Sequence, residues 1–200
     1  MFGWCIDPCN GGNDGAVDGI SLPSNWNATW VTPGPGGNIY AVATQQQPGV
    51  EPDSSVFVLS PSTGKILDQF TLPNGVSNGG EASLAIATGS DHNLWITAPA
   101  VNKIIRMTPT GTVTQFSLPT ANAGPDRIVG GPDSALYFTE TTANKIGRIT
   151  TSGSVTEYKI PTSNSGATGI TPCSSHCGTH GGVWFTETTA NKIGKFDAPL

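Results

Sequence analysis

The sequence is poor in charged residues, in long apolar runs and in helical periodicity. Only 12% of its 200 residues are charged, and 14 acidic against 9 basic side chains give a net charge of −5. A nucleic-acid-binding surface needs a basic stripe, which this composition does not supply. No apolar run is long enough to cross a bilayer, and no window keeps an apolar period of 3.6 residues. The sequence therefore predicts neither a nucleic-acid partner nor a membrane span.

Turn-forming residues are abundant by contrast. The chain has 26 glycines and 16 prolines, about a fifth of its length, and it is rich in Thr, Ser and Asn. This mixture favours many short strands joined by tight turns. We expect an all-β protein.

An internal repeat specifies the architecture. The segment LYFTETTANKIGR at 136–148 recurs as VWFTETTANKIGK at 183–195, and looser copies begin at Leu94 and Ile39. Each copy carries one aromatic marker, and these are Tyr40, Trp95, Tyr137 and Trp184. Each copy reads as four short strands, here called A to D from the inside outwards, with turns between them. A period near 42 residues with four strands is typical of a β-propeller blade.

The two ends of the sequence complement each other in this repeat. Residues 15–23 align without gaps on 111–119, which is a strand D, whereas the last copy ends after strand C near Phe196. We therefore expect a four-bladed β-propeller over 15–200, preceded by a tail at 1–14. The N-terminal outer strand is expected to close the last blade, because closure leaves no unpaired edge. The predicted blades are 24–73, 80–119, 125–161, and 166–196 completed by 15–23.

The repeat resembles that of the streptogramin (virginiamycin B) lyase-like propellers. The resemblance rests on Trp/Tyr-Phe-Thr-Glu followed by Ala-Asn-Lys-Ile-Gly-Arg/Lys, and it covers residues 84–196 well and the first blade weakly. It implies a seven-bladed lyase that opens a cyclic depsipeptide antibiotic by Mg²⁺-assisted elimination, with a histidine as base and glutamates serving the metal. This sequence departs from that pattern in its number of blades and in the position of its histidines.

Two glutamates are candidate metal ligands. Strand order places the D–A and B–C loops on one face, called the top, where Glu140 and Glu187 end the B strands of neighbouring blades. Together they are expected to share Mg²⁺ or Ca²⁺, which prefer oxygen ligands; the alternative is that each accepts hydrogen bonds from its own turn. A base would have to lie near them. The three histidines, His92, His176 and His180, fall in A–B loops on the opposite face, which argues against the elimination chemistry.

The top loops carry the other candidate binding residues. The first blade has a long B–C loop at 44–53 and a long D–A loop at 74–81, and insertions of this kind often mark the working face of a repeat protein. The predicted ligand-binding residues are Trp26, Trp30, Gln46, Glu51, Asp53, Glu81 and Arg127. The repeated aromatic markers are expected to pack between blades instead.

Cysteine pairs and a sequon favour an extracellular protein. Cys5 and Cys9 form one Cys-x3-Cys pair and Cys173 and Cys177 another, and four cysteines allow three disulfide connectivities. Local and crossed pairings both stay open, as does zinc bound by the second pair with His176 and His180. Asn27 begins a glycosylation sequon.

These patterns leave three functions open. The first is a secreted, non-catalytic binding module whose top loops bind a glycan, a peptide or another copy of the chain. The second is a metal-assisted lyase or hydrolase using Glu140 and Glu187. The third is a structural subunit of an extracellular assembly.

Overall fold

The computed structural model of the chain describes residues 19–45, 53–76, 84–173 and 181–198. Within these ranges fifteen strands form four antiparallel sheets in chain order. The predicted all-β, four-bladed propeller is confirmed. The described helical segments are two three-residue 3-10 turns, Pro35–Gly37 and Pro99–Val101, and neither has the length to cross a membrane.

Each sheet is a meander in which consecutive strands pair. The first blade contains β1 (Trp26–Pro33), β2 (Ile39–Gln45), β3 (Ser54–Leu59) and β4 (Ile66–Thr71). The second contains β5 (Ile86–Thr88), β6 (Leu94–Ala98), β7 (Lys103–Met107) and β8 (Val113–Ser117). The third contains β9 (Pro125–Gly130), β10 (Leu136–Glu140), β11 (Lys145–Ile149) and β12 (Val155–Lys159). The fourth contains β13 (Ala167–Cys173), β14 (Gly182–Glu187) and β15 (Lys192–Asp197).

The turn between the second and third strands has the same form in three blades. Asn102, Asn144 and Asn191 occupy the left-handed region with φ of 56°, 57° and 52°. Asparagine tolerates this conformation better than other residues with a Cβ, because its short polar side chain bonds to nearby backbone. The Asn144 amide donates to the Thr162 carbonyl (2.8 Å), and its oxygen accepts from the Ser165 backbone N–H (2.9 Å). This turn is therefore pinned to the loop that leads into the next blade.

The hydrophobic core lies between neighbouring blades. Three clusters of buried side chains fill the three interfaces between the first and second, second and third, and third and fourth blades. In the second interface Trp95 and Ile104 lie in one cluster with Ile128, Leu136 and Phe138. Since one face of a sheet is covered only when a neighbouring sheet lies on it, the blades stabilise one another.

The predicted closing strand lies partly outside the described residues. Residues 15–18 lie outside the described part of the chain, and Gly19–Pro23 form no strand. Among the described residues the fourth sheet has three strands, and β15 is its edge. Ile20 lies on the first blade, where a Cβ atom added to Gly64 would be 3.4 Å from the Ile20 Cγ1. The described part of the N-terminal segment thus lies against the first blade, as the outer strand of a preceding blade would. Pairing of 15–23 with the fourth blade stays a prediction.

Candidate functional site

The inner strands bring together two of the predicted ligand-binding residues from blades that are not neighbours. Trp30 lies on β1 of the first blade and Arg127 on β9 of the third, and the guanidinium carbon is 4.2 Å from the centre of the indole ring. This is a cation–π contact. The Trp30 side chain is 40% exposed, so part of the indole faces solvent.

A carboxylate accompanies this aromatic and cationic pair. Asp126 lies beside Arg127, with 3.7 Å between the carboxylate oxygen and the guanidinium Nε, and both side chains are about a quarter exposed. Burial raises the pKa of Asp126, and the positive charge of Arg127 opposes that rise. We define the axial mouth as Trp30, Asp126 and Arg127.

Threonine side chains hold the inner strands that carry the axial mouth. The Thr97 hydroxyl donates to the Asp126 carbonyl (2.8 Å), joining the second blade to the third. Thr29 donates in the same way to the Leu84 carbonyl (2.8 Å) and Thr139 to the Thr168 carbonyl (3.0 Å). Each bond crosses between neighbouring blades, so these contacts fix the relative positions of the strands on which Trp30 and Arg127 lie.

The other predicted ligand-binding residues do not all join this site. Trp26 packs edge-on against Phe57 with 5.2 Å between ring centres, which makes it a packing residue of the first blade. Asp53 is exposed, and its carbonyl accepts from the Gln45 N–H (2.8 Å). Gln46, Glu51 and Glu81 lie outside the described residues. The predicted glycosylation residue, Asn27, is exposed on β1.

Glu140 is enclosed at the end of β10. Its side chain is fully buried, and neither carboxylate oxygen has a hydrogen-bond partner. Burial raises the pKa of Glu140 to about 7; the negative charge of Glu157 acts in the same direction, and the positive charge of Lys145 opposes it. Burial therefore favours the protonated form of the Glu140 carboxyl group.

Glu157 was not among the residues predicted for a site. Its carboxylate accepts from the Lys145 ammonium (2.7 Å) and from the Thr120 backbone N–H (2.9 Å). Burial alone would raise the pKa of Glu157, but these hydrogen bonds and the Thr120 hydroxyl hold it below its usual range. The equivalent residues in the first two blades are Gln69 and Gln115, so the change from Gln to Glu along the repeat is a signal that the sequence contains.

Glu187 occupies the equivalent position in the fourth blade but borders an open groove. The groove has a volume of about 400 Å³ and is lined by Thr186, Glu187, Thr188, Asn191, Lys192 and Ile193. The Glu187 side chain is buried, and its Oε2 atom has no hydrogen-bond partner. In the third blade the corresponding space lies beside β12, which carries Glu157.

The described residues contain no group of three or more His, Cys, Asp and Glu side chains arranged for a metal ion. The negative charge nearest in effect to Glu140 is that of Glu157, and the Lys145 ammonium already pairs with Glu157. Because a divalent cation prefers several free oxygen ligands, Glu140, Glu157 and Lys145 do not fit such an ion. Metal binding by Glu140 and Glu187 together remains a prediction.

His92 lies in the turn before β6, at the opposite end of that strand from Ala98, which matches Glu140 in the repeat. His176 and His180 lie outside the described residues, as do Cys5, Cys9 and Cys177. Cys173 ends β13 and pairs in register with Gly182. The predicted disulfides and the zinc alternative therefore stay predictions.

Comparison with known proteins identifies the family. The profile of the Virginiamycin B lyase family matches residues 14–199. The chain belongs to this family. No curated protein matches the sequence.

Solved structures agree with the family assignment. The chain is similar to a catalytically inactive variant of virginiamycin B lyase from Staphylococcus aureus, solved with quinupristin, at 38% identity and a TM-score of 0.68 over 84% of this chain and 51% of that one. It is similar to a streptogramin B lyase at 34% identity and a TM-score of 0.64, covering 86% and 55%. An auxiliary nutrient binding protein from Bacteroides ovatus shares the fold, at 14% identity and a TM-score of 0.57 over 84% and 46%. The chain thus spans about half the length of the solved lyases it matches.

Proposed function

We propose that this member of the virginiamycin B lyase family is a non-catalytic binding module that takes a peptide-like ligand at the axial mouth. The observation that carries the proposal is the contact between Trp30 and Arg127, 4.2 Å apart and contributed by non-adjacent blades. Trp30 and Arg127 lie on strands of different sheets, so strand pairing does not require their contact. Their convergence therefore supports a role in recognition.

The chemistry of the axial mouth favours a ligand with both apolar and polar groups. The exposed part of the Trp30 indole offers an apolar surface for stacking. Arg127 offers donors to carbonyl and carboxylate groups, and Asp126 offers acceptors to N–H groups. A peptide or cyclic peptide presents all three kinds of partner, whereas a neutral glycan without acetamido groups presents neither carbonyl nor N–H groups.

A binding measurement with quinupristin tests this proposal. Quinupristin is the compound present with the lyase variant from Staphylococcus aureus, and calorimetric titration measures its Kd for the intact chain. We expect Trp30→Ala and Arg127→Ala each to weaken binding about fivefold or more. Trp184→Ala is the matched control, since Trp184 is 39% exposed but lies on the fourth blade.

Chromatography of the same mixtures separates binding from turnover. Intact quinupristin after prolonged incubation is expected, because we infer recognition without ring opening. Formation of a ring-opened product would show that the protein is an enzyme. Equal Kd values for wild type and both axial-mouth variants would place the ligand elsewhere and overturn the assigned site.

A metal-assisted lyase or hydrolase is the second candidate function, and the 38% identity to virginiamycin B lyase favours it. Glu140 and Glu187 are its proposed ligands for Mg²⁺ or Ca²⁺. A ligand that binds only the folded state raises the melting temperature. This reading predicts that Mg²⁺ raises the Tm of wild type, that EDTA reverses the rise, and that Glu140→Gln and Glu187→Gln remove it. No response to either ion would count against it.

We further infer an extracellular location, with the cysteines oxidised and Asn27 available for glycosylation. The support is the two Cys-x3-Cys pairs and the exposure of Asn27. Titration of free thiols in the protein purified from its natural source tests this inference. Four reactive thiols would overturn it.

A further inference from the structure

The innermost strand of the third blade contains a β-bulge at the axial mouth. Between two regular pairs of β9 and β10, the residues Asp126 and Arg127 face a single residue, Thr139. Successive side chains of a regular strand point to opposite faces of the sheet, whereas a bulge bends the strand and redirects them. Here the Asp126 Oδ1 and the Arg127 Nε lie 3.7 Å apart. The bulge therefore allows two consecutive residues to reach the same ligand.

The first blade has the same irregularity, and Trp30 occupies in it the position that Arg127 occupies in the third blade. Trp30 pairs with Val42, and Thr29 is the extra residue of β1. The second blade, which lies between these two, has Ala85 at this position. A methyl group is too short to keep the two larger side chains apart. The shared bulge position therefore accounts for the contact between Trp30 and Arg127.

Two buried threonines hold the peptide group at the centre of the third-blade bulge. The Asp126 carbonyl and the Arg127 N–H belong to this one peptide group. The Thr97 hydroxyl, from the second blade, donates to the carbonyl (2.8 Å), and the Thr139 hydroxyl accepts from the N–H (3.2 Å). Both threonines are 0% exposed, so water does not compete for these hydrogen bonds. The peptide group is thus held from two different sheets.

Each of the two hydroxyls acts as donor and acceptor at once. Thr97 also accepts from the Ala85 N–H (2.9 Å), and Thr139 also donates to the Thr168 carbonyl (3.0 Å). A hydroxyl has a single proton to donate, so these partners fix its direction. Valine has nearly the shape of threonine but can make neither bond. Val42 occupies the equivalent position in the first blade and is fully buried, so the fold accepts valine there.

We propose that Thr97 and Thr139 are positioning residues of the axial mouth, whose hydroxyls hold the bulge peptide and thereby aim the Asp126 carboxylate and the Arg127 guanidinium at the ligand. This inference rests on the proposed function, since it assigns both threonines to the same site. Because both are buried, they act through the backbone of the bulge and not by contact with the ligand.

Nuclear magnetic resonance of the ligand-free protein tests the positioning. The Arg127 guanidinium carbon is 4.2 Å from the centre of the Trp30 ring, so the ring current shifts the Arg127 side-chain resonances upfield. We expect Thr139→Val to reduce this upfield shift and to speed hydrogen exchange of the Arg127 amide about tenfold, because that N–H loses its acceptor. Thr97→Val, which removes the donor to the Asp126 carbonyl, should also reduce the shift.

Two further variants separate positioning from a general loss of packing. Thr139→Ser keeps the hydroxyl and should restore both the shift and the exchange rate. Thr186→Val is the matched control, because the Thr186 hydroxyl accepts from the Gly169 N–H (2.9 Å) of the fourth blade. It removes the same kind of hydrogen bond from a bulge of the same form, and it should leave the Arg127 resonances unchanged.

Calorimetric titration with quinupristin carries the test to binding. Thr97→Val and Thr139→Val should each weaken the Kd about threefold or more, whereas Thr139→Ser and Thr186→Val should bind like wild type. In the Arg127→Ala background Thr139→Val should weaken binding by a smaller factor than in wild type, because part of its effect passes through Arg127.

The two kinds of measurement fail in different ways. Unchanged Arg127 resonances and amide exchange in Thr139→Val would overturn the proposal, and so would equal changes in Thr186→Val. The same holds if Thr139→Val alters the resonances but binds quinupristin like wild type while Arg127→Ala does not. A wild type that does not bind quinupristin, together with the expected resonance changes, would overturn the proposed function and would support the positioning of Arg127 by the two threonines.

Discussion

The third and fourth blades contain nearly the same thirteen residues in different surroundings. LYFTETTANKIGR in the third blade and VWFTETTANKIGK in the fourth form the same two strands and the same left-handed asparagine turn. Yet Tyr137 is fully buried, and its counterpart Trp184 is 39% exposed. The local sequence determines the strands and the turn, whereas burial depends on whether another blade lies on top. Pairs of equivalent substitutions measure this difference directly.

Truncating the aromatic marker should give the largest difference in unfolding free energy between the third and fourth blades. Tyr137 is enclosed by the fourth blade, and its hydroxyl donates to Asp133 (2.9 Å). Tyr137→Ala should lower the free energy of unfolding by about 3–5 kcal/mol. Trp184→Ala should lower it by less, because 39% of that side chain is already exposed to water. Denaturant titration measures both. An equally large cost for Trp184→Ala would contradict the idea that burial by a following blade makes the two positions differ.

The buried carboxylates give the second largest difference. Burial raises the pKa of Glu140 to about 7 in the folded chain, against 4.5 for an unperturbed glutamate. Below about pH 4.5 the group is protonated in both the folded and unfolded states, and above about pH 7 it is ionised in both. The folded state therefore loses about 3 kcal/mol of stability as the pH rises between these values. Glu140→Gln cannot ionise and should lack this loss.

Unfolding free energies at pH 4.5 and pH 8 check this prediction. The variant should gain on wild type between the two values by about 3 kcal/mol. Glu187→Gln is the matched control, since no outer-strand carboxylate lies beside Glu187 among the described residues. The same change in both variants would contradict a special environment around Glu140, and no change in either would mean that water reaches the Glu140 carboxylate.

The repeat made the blades, their strand order and the two faces predictable, because each rests on spacing within one copy. The aromatic markers Tyr40, Trp95 and Tyr137 pack between blades as the pattern indicates. The exposure of Trp184 was not predictable, since it depends on contacts beyond the copy that contains it. The sequence alignment of 15–23 indicated an outer-strand position, and Ile20 lies against Gly64 of the first blade as Phe70 lies against Gly111 of the second.

The candidate site was predictable in part for the same reason. Trp30 and Arg127 were singled out because both lie in segments near the top face, and the structure joins them. That they touch across two blades is a consequence of the curvature of the whole set of sheets, which no single repeat encodes. The set of Glu140, Lys145 and Glu157 depends on two strand pairings at once, and its only sequence signal was the single change from Gln to Glu along the repeat.

Substitutions in the asparagine turns should give the smallest difference between the third and fourth blades. Asn144 and Asn191 have the same left-handed backbone, so replacing either by alanine costs the same conformational strain. Asn144 also holds the loop to the next blade through Thr162 and Ser165, as Asn102 does through Thr120 and Ala123. Asn144→Ala should therefore cost about 1–2 kcal/mol more in unfolding free energy than Asn191→Ala. Glycine at either position relieves the backbone strain but does not restore the side-chain hydrogen bonds. The difference in unfolding free energy between the Asn144 and Asn191 variants should therefore persist. If Asn144→Gly and Asn191→Gly cost the same unfolding free energy, backbone strain would explain the difference between the two alanine variants. That result would contradict the idea that a following blade, rather than the turn itself, makes the third blade different from the fourth.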